Sequence, residues 1–78
     1  MNDDMIQYAI KIAKEAYYYN KNDDGIAQYI KKEFDSKYNK YWECIVGLSY
    51  SFAISHNRKE YIYFKLGEYD VILFRVTD

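Results

Sequence analysis

Up to Asn39, apolar side chains recur at the three- and four-residue spacing of amphipathic helices. The first such column consists of Met5, Ala9, Ala13 and Ala16. Because three of these four side chains are small, another element can pack closely against this face. The pattern predicts a first helix that begins near Met5 and ends near the polar connector 20–22. The capping residues for its start are Asn2, Asp3 and Asp4.

A second helix is predicted after Asp23 and Asp24, whose carboxylates suit a helix N-terminus. Its apolar stripe consists of Ile26, Ile30 and Phe34. Its polar face, which we expect to contact water, carries Gln28, Lys31, Lys32 and Asp35. Asn39 is the expected C-terminal stop.

Beyond Asn39 the apolar period changes from that of a helix to the two-residue period of a strand. The alternation predicts four strands, the first of which is closed by Gly47: Tyr41–Val46, Ser49–His56, Glu60–Leu66 and Tyr69–Val76. Two helices followed by four strands predict an α+β fold, with two N-terminal helices packed on one antiparallel β-sheet. The whole chain, 1–78, reads as one domain.

The predicted strand Ser49–His56 has one bulky face and one nearly bare face. The bulky side chains are Tyr50, Phe52, Ile54 and His56, and the small ones are Ser49, Ser51, Ala53 and Ser55. The small face lets another backbone approach closely. Two interpretations remain open at this point: an ordinary edge strand in a monomer, and a template for β-strand addition.

The amino-acid composition raises a further possibility, which is that the chain forms an oligomer. Of 78 residues, 50% are hydrophobic and 11 are Tyr, which is a rich apolar supply for a small core. Tyr side chains are common where a surface is only partly exposed to water. The high Tyr content therefore fits two arrangements: a dense core, or an interface with a second subunit or a partner. The net charge of −1 argues against a nucleic-acid partner. A single Cys, a polar start and no long apolar run lead us to expect a cytosolic protein without membrane association.

The chain offers little catalytic chemistry. Cys44 is the one Cys and His56 the one His, and no third group can be assigned to orient such a pair. One His and one Cys do not make a metal site, and no Gly-rich phosphate loop is present in the sequence. We therefore expect no enzyme activity, no metal and no cofactor. A small enzyme using Cys44 and His56 is the weakest alternative.

A longer motif resembles a known family. It comprises IKKEFDSKYN at 30–39, Trp42, CIVG at 44–47, His56, YIYF at 61–64, LG at 66–67 and LF at 73–74. This series is similar to the signature of the eight-kilodalton cytoplasmic dynein light chains, and the resemblance runs from about Met5 to the C-terminal end.

The resemblance implies a strand-exchanged homodimer. Residues Tyr50–His56 would pair by one edge with the sheet of the partner subunit. The other edge would accept a short client segment, often with a Thr-Gln-Thr core, beside the second helix of the partner. Clients of such proteins include the dynein intermediate chain. The implied protein is a cytoplasmic, microtubule-associated or axonemal adaptor without catalytic activity.

The resemblance also assigns candidate residues. The peptide-binding positions are Tyr50, Ser51, Phe52, Ala53, Ile54, Ser55, His56, Tyr63, Lys65, Asp23, Asp24 and Gly25. The dimer-interface positions are Trp42, Glu43, Cys44, Tyr50, Phe52 and Ile54.

Several residues depart from the family pattern near the expected groove. Asp24 stands where a Lys is common beside the client Gln, so a donor has become an acceptor. The order of small and bulky residues over 51–53 is also changed, with Phe52 and Ala53 in place of the usual Ser and aromatic residue. These changes lead to the hypothesis of a shifted client preference. The alternative is a structural dynein or axonemal subunit whose groove is altered or closed.

Other departures concern the dimer and its regulation. Glu43 replaces an interfacial His, so an acid switch based on that His should be absent or altered. Lys40 replaces a Pro, and Val76 replaces a regulatory Ser. The family usually has a further short strand before the first helix, and we expect its place here to be empty or filled by another chain.

Overall fold

The computed structural model describes residues 2–20, 22–48 and 61–76. Within these ranges the chain forms two helices and then three strands: α1 Asp3–Tyr19, α2 Asp23–Tyr38, β1 Trp42–Leu48, β2 Tyr61–Leu66 and β3 Tyr69–Arg75. The predicted α+β architecture is confirmed. The predicted strand Ser49–His56 lies outside the described residues. The expectation that Gly47 closes β1 is wrong, because Gly47 pairs with Asp70 inside the ladder and β1 continues to Leu48.

Each helix begins at an asparagine cap. The Asn2 side chain accepts the Met5 N–H at 2.9 Å, and α1 therefore begins two residues earlier than predicted. The Asn22 side chain accepts the Gly25 N–H at 2.8 Å. Asp23 and Asp24 were predicted to cap α2, but they occupy its first turn instead, where their charge still favours the helix dipole.

Asn39 ends α2 as predicted. Its φ of 69° is positive, and its ψ of 160° places it outside the left-handed helical region. This turn brings the chain from the end of α2 into β1.

The two helices pack through the small and apolar columns that the sequence predicted. On α1, Ala9, Ala13 and Ala16 are completely buried. On α2, the three stripe residues Ile26, Ile30 and Phe34 are completely buried as well. Small side chains on α1 leave room for the bulky ones of α2, so the two helices and the sheet share one apolar core.

The sheet has the order β1-β3-β2, and both pairings are antiparallel. Alternation along the strands separates two faces. The face toward the helices carries Trp42, Cys44, Val46, Ile62, Phe64, Leu66, Val71 and Leu73, which lie in the core or pack against it. The opposite face is called here the outward face. It carries Glu43, Ile45, Tyr61, Tyr63, Lys65, Asp70, Ile72 and Phe74.

Trp42 is the largest completely buried side chain. Its ring lies 4.9 Å from the Phe34 ring in an edge-on arrangement, and the Arg75 guanidinium lies 4.9 Å from the indole centroid. Trp42 therefore connects α2 to the first and last strands of the sheet.

We predict that Phe34→Ala lowers the free energy of unfolding by about 3–5 kcal/mol, because it removes a buried ring and leaves a cavity beside Trp42. Urea denaturation followed by Trp42 fluorescence measures this change. The matched control is Ser36→Ala on the exposed side of the same helix, expected within about 0.5 kcal/mol of the unmodified chain. Equal effects of the two substitutions would contradict this description of the core.

Candidate strand-addition site and subunit interface

The free edge of β1 is the most distinctive feature of the described sheet. Within residues 2–20, 22–48 and 61–76, β1 has a strand neighbour on one side only. The Val76 N–H donates to the Tyr41 carbonyl at 2.9 Å, so the backbone groups of Tyr41 point toward β3. In an antiparallel ladder this direction alternates from residue to residue. The residues whose N–H and C=O groups point away from β3 are therefore Trp42, Cys44, Val46 and Leu48.

The first of these outward positions is already occupied by side chains of α2. The Trp42 N–H donates to Asp35 Oδ1 at 2.7 Å, and the Trp42 carbonyl accepts from Lys31 Nζ at 2.9 Å. Lys31 and Asp35 are one helical turn apart and form an ion pair at 2.7 Å. The pair is called here the α2 clamp. It satisfies both backbone groups of Trp42 with charged partners.

The expectation that Lys31 and Asp35 face water is therefore wrong. Both are partly buried, because α2 lies against β1 and its side chains reach the strand backbone. Burial on its own would raise the pKa of Asp35, but hydrogen bonds from Lys31 and from the Trp42 N–H lower the pKa below its usual value. The hydrogen bond to Asp35 raises the pKa of Lys31 in turn. Lys32, the next residue of α2, is exposed as predicted.

The outward face of the sheet carries a row of apolar side chains. Ile45 and Tyr63 flank Ile72 in the register of the three strands, and they are 40% and 49% exposed. Both helices lie on the other side of the sheet, and Ile72 at the centre of the row is itself only 3% exposed. The half-exposed Ile45 and Tyr63, beside a β1 edge that has no neighbour among the described strands, are compatible with a subunit interface.

A charged cluster lies on the same face near the turn between β2 and β3. The side chain of Asp70 is almost completely buried; its Oδ1 accepts from the Tyr63 hydroxyl at 2.9 Å and lies 2.6 Å from Lys65 Nζ. These hydrogen bonds raise the pKa of both Tyr63 and Lys65. The predicted site residues Tyr63 and Lys65 are thus brought together, and Asp70 is the residue that joins them.

The predicted site residues at the start of α2 lie at the connection between the helices. The Asp23 side chain accepts the Asp24 N–H at 2.8 Å, and Asp24 is exposed. Gly25 lies so close to the Asn20 side chain that an added Cβ would be 2.7 Å from Asn20 Oδ1. Among the hydrogen bonds, ion pairs and ring contacts of the described residues, none joins this turn to Tyr63 or Lys65.

The predicted interface residues of β1 have three different environments. Trp42 is completely buried inside the protomer, so its side chain cannot contact a second copy directly and can only support the residues that do. The Glu43 side chain is 49% exposed, and its Oε1 lies 3.8 Å from Lys31 Nζ. Cys44 is partly buried and free of any disulfide. The remaining predicted positions, Tyr50–His56, lie outside the described residues.

Neither a metal site nor a membrane-spanning helix is found among the described residues. They contain no group of three or more His, Cys, Asp or Glu side chains arranged to hold a metal ion. Neither α1 nor α2 is long and apolar enough to cross a membrane.

The sequence interpretation missed three functional candidates: Lys31, Asp35 and Asp70. The (i, i+4) spacing of Lys31 and Asp35 was visible, but it predicts a surface ion pair and does not reveal the strand backbone beneath it. Asp70 interrupts the apolar run of β3, and a carboxylate inside a buried strand is a signal for a polar partner on a neighbouring strand.

Over the described residues, this geometry defines a class of protein: a small α+β scaffold whose β1 edge has no strand neighbour and whose outward face carries apolar side chains. The family of dynein light chain type 1 matches residues 1–76. The chain is 41% identical over 75 residues to a cytoplasmic dynein light chain of Emericella nidulans, covering 96% of this chain and 80% of that protein. The chain belongs to the dynein light chain family.

Solved structures agree with this fold. The dynein light chain-like domain of the Fasciola hepatica calcium binding protein FhCaBP2 superposes with a TM-score of 0.81 at 24% identity, covering 100% of this chain and 86% of that chain. A second structure of the same domain gives the same TM-score over 99% and 84% of the two chains. Dynein light chains are structural and adaptor proteins, so family membership supports the expectation that this chain is not an enzyme.

We predict that Cys44 reacts slowly with thiol reagents in the folded protein. Burial raises the pKa of its thiol to about 12, with a smaller contribution from Glu43, so very little thiolate is present at pH 8. Modification by a chromogenic disulfide reagent at pH 8 should be roughly 100- to 1,000-fold slower in buffer than in denaturant. Equal rates in the two conditions would show that the thiol is accessible and ionised. Because Cys44 is the one Cys of the chain, the assay needs no other substitution.

Proposed function

We propose that this protein is a non-enzymatic, homodimeric light chain of a dynein motor complex that binds short linear segments of client proteins by β-strand addition. The observation that carries this proposal is the free edge of β1, where Cys44, Val46 and Leu48 direct backbone groups away from the sheet. Membership of the dynein light chain family supplies the motor association.

In the proposed dimer, the segment Tyr50–His56 of each copy pairs with the β1 edge of the other. The apolar outward face, with Ile45 and Tyr63 half-exposed, is then covered by the second copy. Glu43 lies on the same face, where the Lys31 cation 3.8 Å away offsets part of the repulsion between the carboxylates of the two copies.

The proposed client groove lies between the two copies. One copy supplies the free edge of its exchanged strand together with Tyr63 and Lys65. The other copy supplies the start of α2, with Asp23, Asp24 and Gly25. The resemblance assigns these two groups to different copies, so the groove would be complete only in the dimer.

The proposed clients are extended peptides, including a segment of the dynein intermediate chain. Backbone hydrogen bonds supply affinity in this mode of binding, and side-chain pockets supply specificity. Two grooves on one dimer favour clients that are themselves paired, because the second segment binds at a high effective concentration. The proposed location is the cytoplasm, on the microtubule cytoskeleton, as the name of the Emericella nidulans relative suggests.

The test is a titration of isotope-labelled protein with a Thr-Gln-Thr peptide, followed by NMR. We expect shifts at Tyr63, Lys65 and the first turn of α2, with weak binding because the Asp24 carboxylate has no hydrogen to donate to the side-chain carbonyl of the client Gln. Asp24→Lys should restore a donor and tighten binding by roughly 10-fold or more. Asp4→Lys is the matched control, since Asp4 is also exposed in the first turn of a helix, and it should leave affinity unchanged.

Two results would change the proposal. A dimeric protein that shows no shifts, even as Asp24→Lys, would favour a structural subunit with a closed groove. Tight binding by the unmodified chain, without any gain from Asp24→Lys, would refute a shifted client preference while leaving strand addition in place.

A further inference from the structure

We propose that Lys31 and Asp35 form a register stop, which fixes where the strand of a second copy begins to pair on β1. The inference rests on the proposed strand-exchanged dimer and adds to it the residues that set the alignment of the two copies. It follows from the α2 clamp, which occupies the Trp42 backbone groups at the start of the free edge.

An added strand needs unpaired N–H and C=O groups. At Trp42 both groups already have charged partners at 2.7 Å and 2.9 Å, so an incoming strand would have to displace an ion pair to reach them. At Cys44, Val46 and Leu48, no described residue pairs with the outward backbone groups. Pairing with a second copy therefore begins at Cys44 and proceeds toward Leu48.

The length of the open edge fits the segment that we propose for it. From Cys44 to Leu48 the edge offers three residues with outward backbone groups, at every second position. The segment Tyr50–His56 alternates bulky and small side chains over seven residues, enough to pair along this whole edge.

The register stop has a role because the open β1 edge does not by itself determine how the added strand of a second copy is aligned. A slip of one residue is excluded, since it would exchange the bulky and small faces of the added strand. A slip of two residues keeps the faces and costs little in the ladder. The clamp removes the two-residue slip toward Trp42, because that register would leave a backbone group of the incoming strand opposite a position that is already bonded.

Lys31 also contacts a residue of the outward face. Besides the Trp42 carbonyl and Asp35, its Nζ lies 3.8 Å from Glu43 Oε1. One ammonium group therefore holds the strand backbone and also faces the carboxylate at the predicted interface. Its neighbour Lys32 is exposed, and it makes none of the hydrogen bonds or ion pairs found among the described residues.

The experiment is amide hydrogen exchange of the unmodified chain at a series of protein concentrations, read by residue-resolved mass spectrometry. Sedimentation on the same samples gives the fraction of dimer. We expect the amides of Cys44, Val46 and Leu48 to become protected only as the dimer forms. The Trp42 amide should be equally protected at all concentrations, since its partner is Asp35 of its own chain. Protection of Trp42 that appears only with the dimer would overturn the register stop.

The double variant Lys31→Met, Asp35→Ala removes the stop. We expect its Trp42 amide to exchange at least roughly 10-fold faster in the monomer and to regain protection in the dimer, because the partner strand can now pair there. A Trp42 amide that stays unprotected in a dimer of this variant would show that another feature fixes the register. The matched control Lys32→Met should exchange like the unmodified chain.

The two readouts separate the two proposals. If the unmodified chain sediments as a monomer at every concentration, the proposed dimer is wrong and there is no added strand to stop. If it dimerises while Trp42 follows Cys44, Val46 and Leu48, the dimer stands and the register stop is wrong. The dilution series needs no substitution, so a variant that fails to fold does not prevent this decision.

Discussion

The position of Trp42 is the constraint on which the rest of this structure depends. Its indole is completely buried against Phe34, and its backbone is held by Lys31 and Asp35 of the same helix. Apolar packing holds the ring in a close-packed core, and the hydrogen bonds add a directional constraint on the strand backbone. The charged contacts to both backbone groups fix the depth of the ring and the start of the strand together.

The two faces of the sheet have different environments. One face closes the core beneath the helices, and the other keeps a half-exposed apolar row around Ile72. In the proposed function, the β1 edge acts through its backbone groups and not through reactive side chains. The raised pKa of the Cys44 thiol is consistent with this proposal, because burial disfavours the reactive thiolate. The membership of the dynein light chain family fits a protein that works by pairing strands.

Sequence reasoning predicted the two helices and the strand period well, because both depend on local periodicity. It predicted the apolar stripe Ile26, Ile30 and Phe34 on α2, and the structure places all three side chains in the core. It did not find the role of Asp35, because the contact between α2 and the Trp42 N–H joins two elements whose packing no local pattern encodes. The cap of α2 was displaced by one residue, from Asp23 to Asn22, for a related reason: neighbouring Asn and Asp side chains can serve the same role, and local geometry chooses between them.

The outward face shows the same limit. Alternation along β2 and β3 predicts which residues share it, but not that the Tyr63 hydroxyl and Lys65 ammonium converge on Asp70. That convergence depends on the register between the two strands, which places Lys65 opposite Asp70. Family resemblance supplied the candidate groove, and the structure supplies the charges that a client would meet there.

The most direct test of the central claim is an isotope-filtered NMR experiment on a mixed sample of labelled and unlabelled chains. The claim is that the β1 edge of one copy pairs with the segment Tyr50–His56 of another. We predict contacts between copies from the amides of Cys44, Val46 and Leu48 to that segment, and none from Trp42. A monomeric protein, or one whose contacts from the β1 edge all lie within a single copy, would contradict the claim.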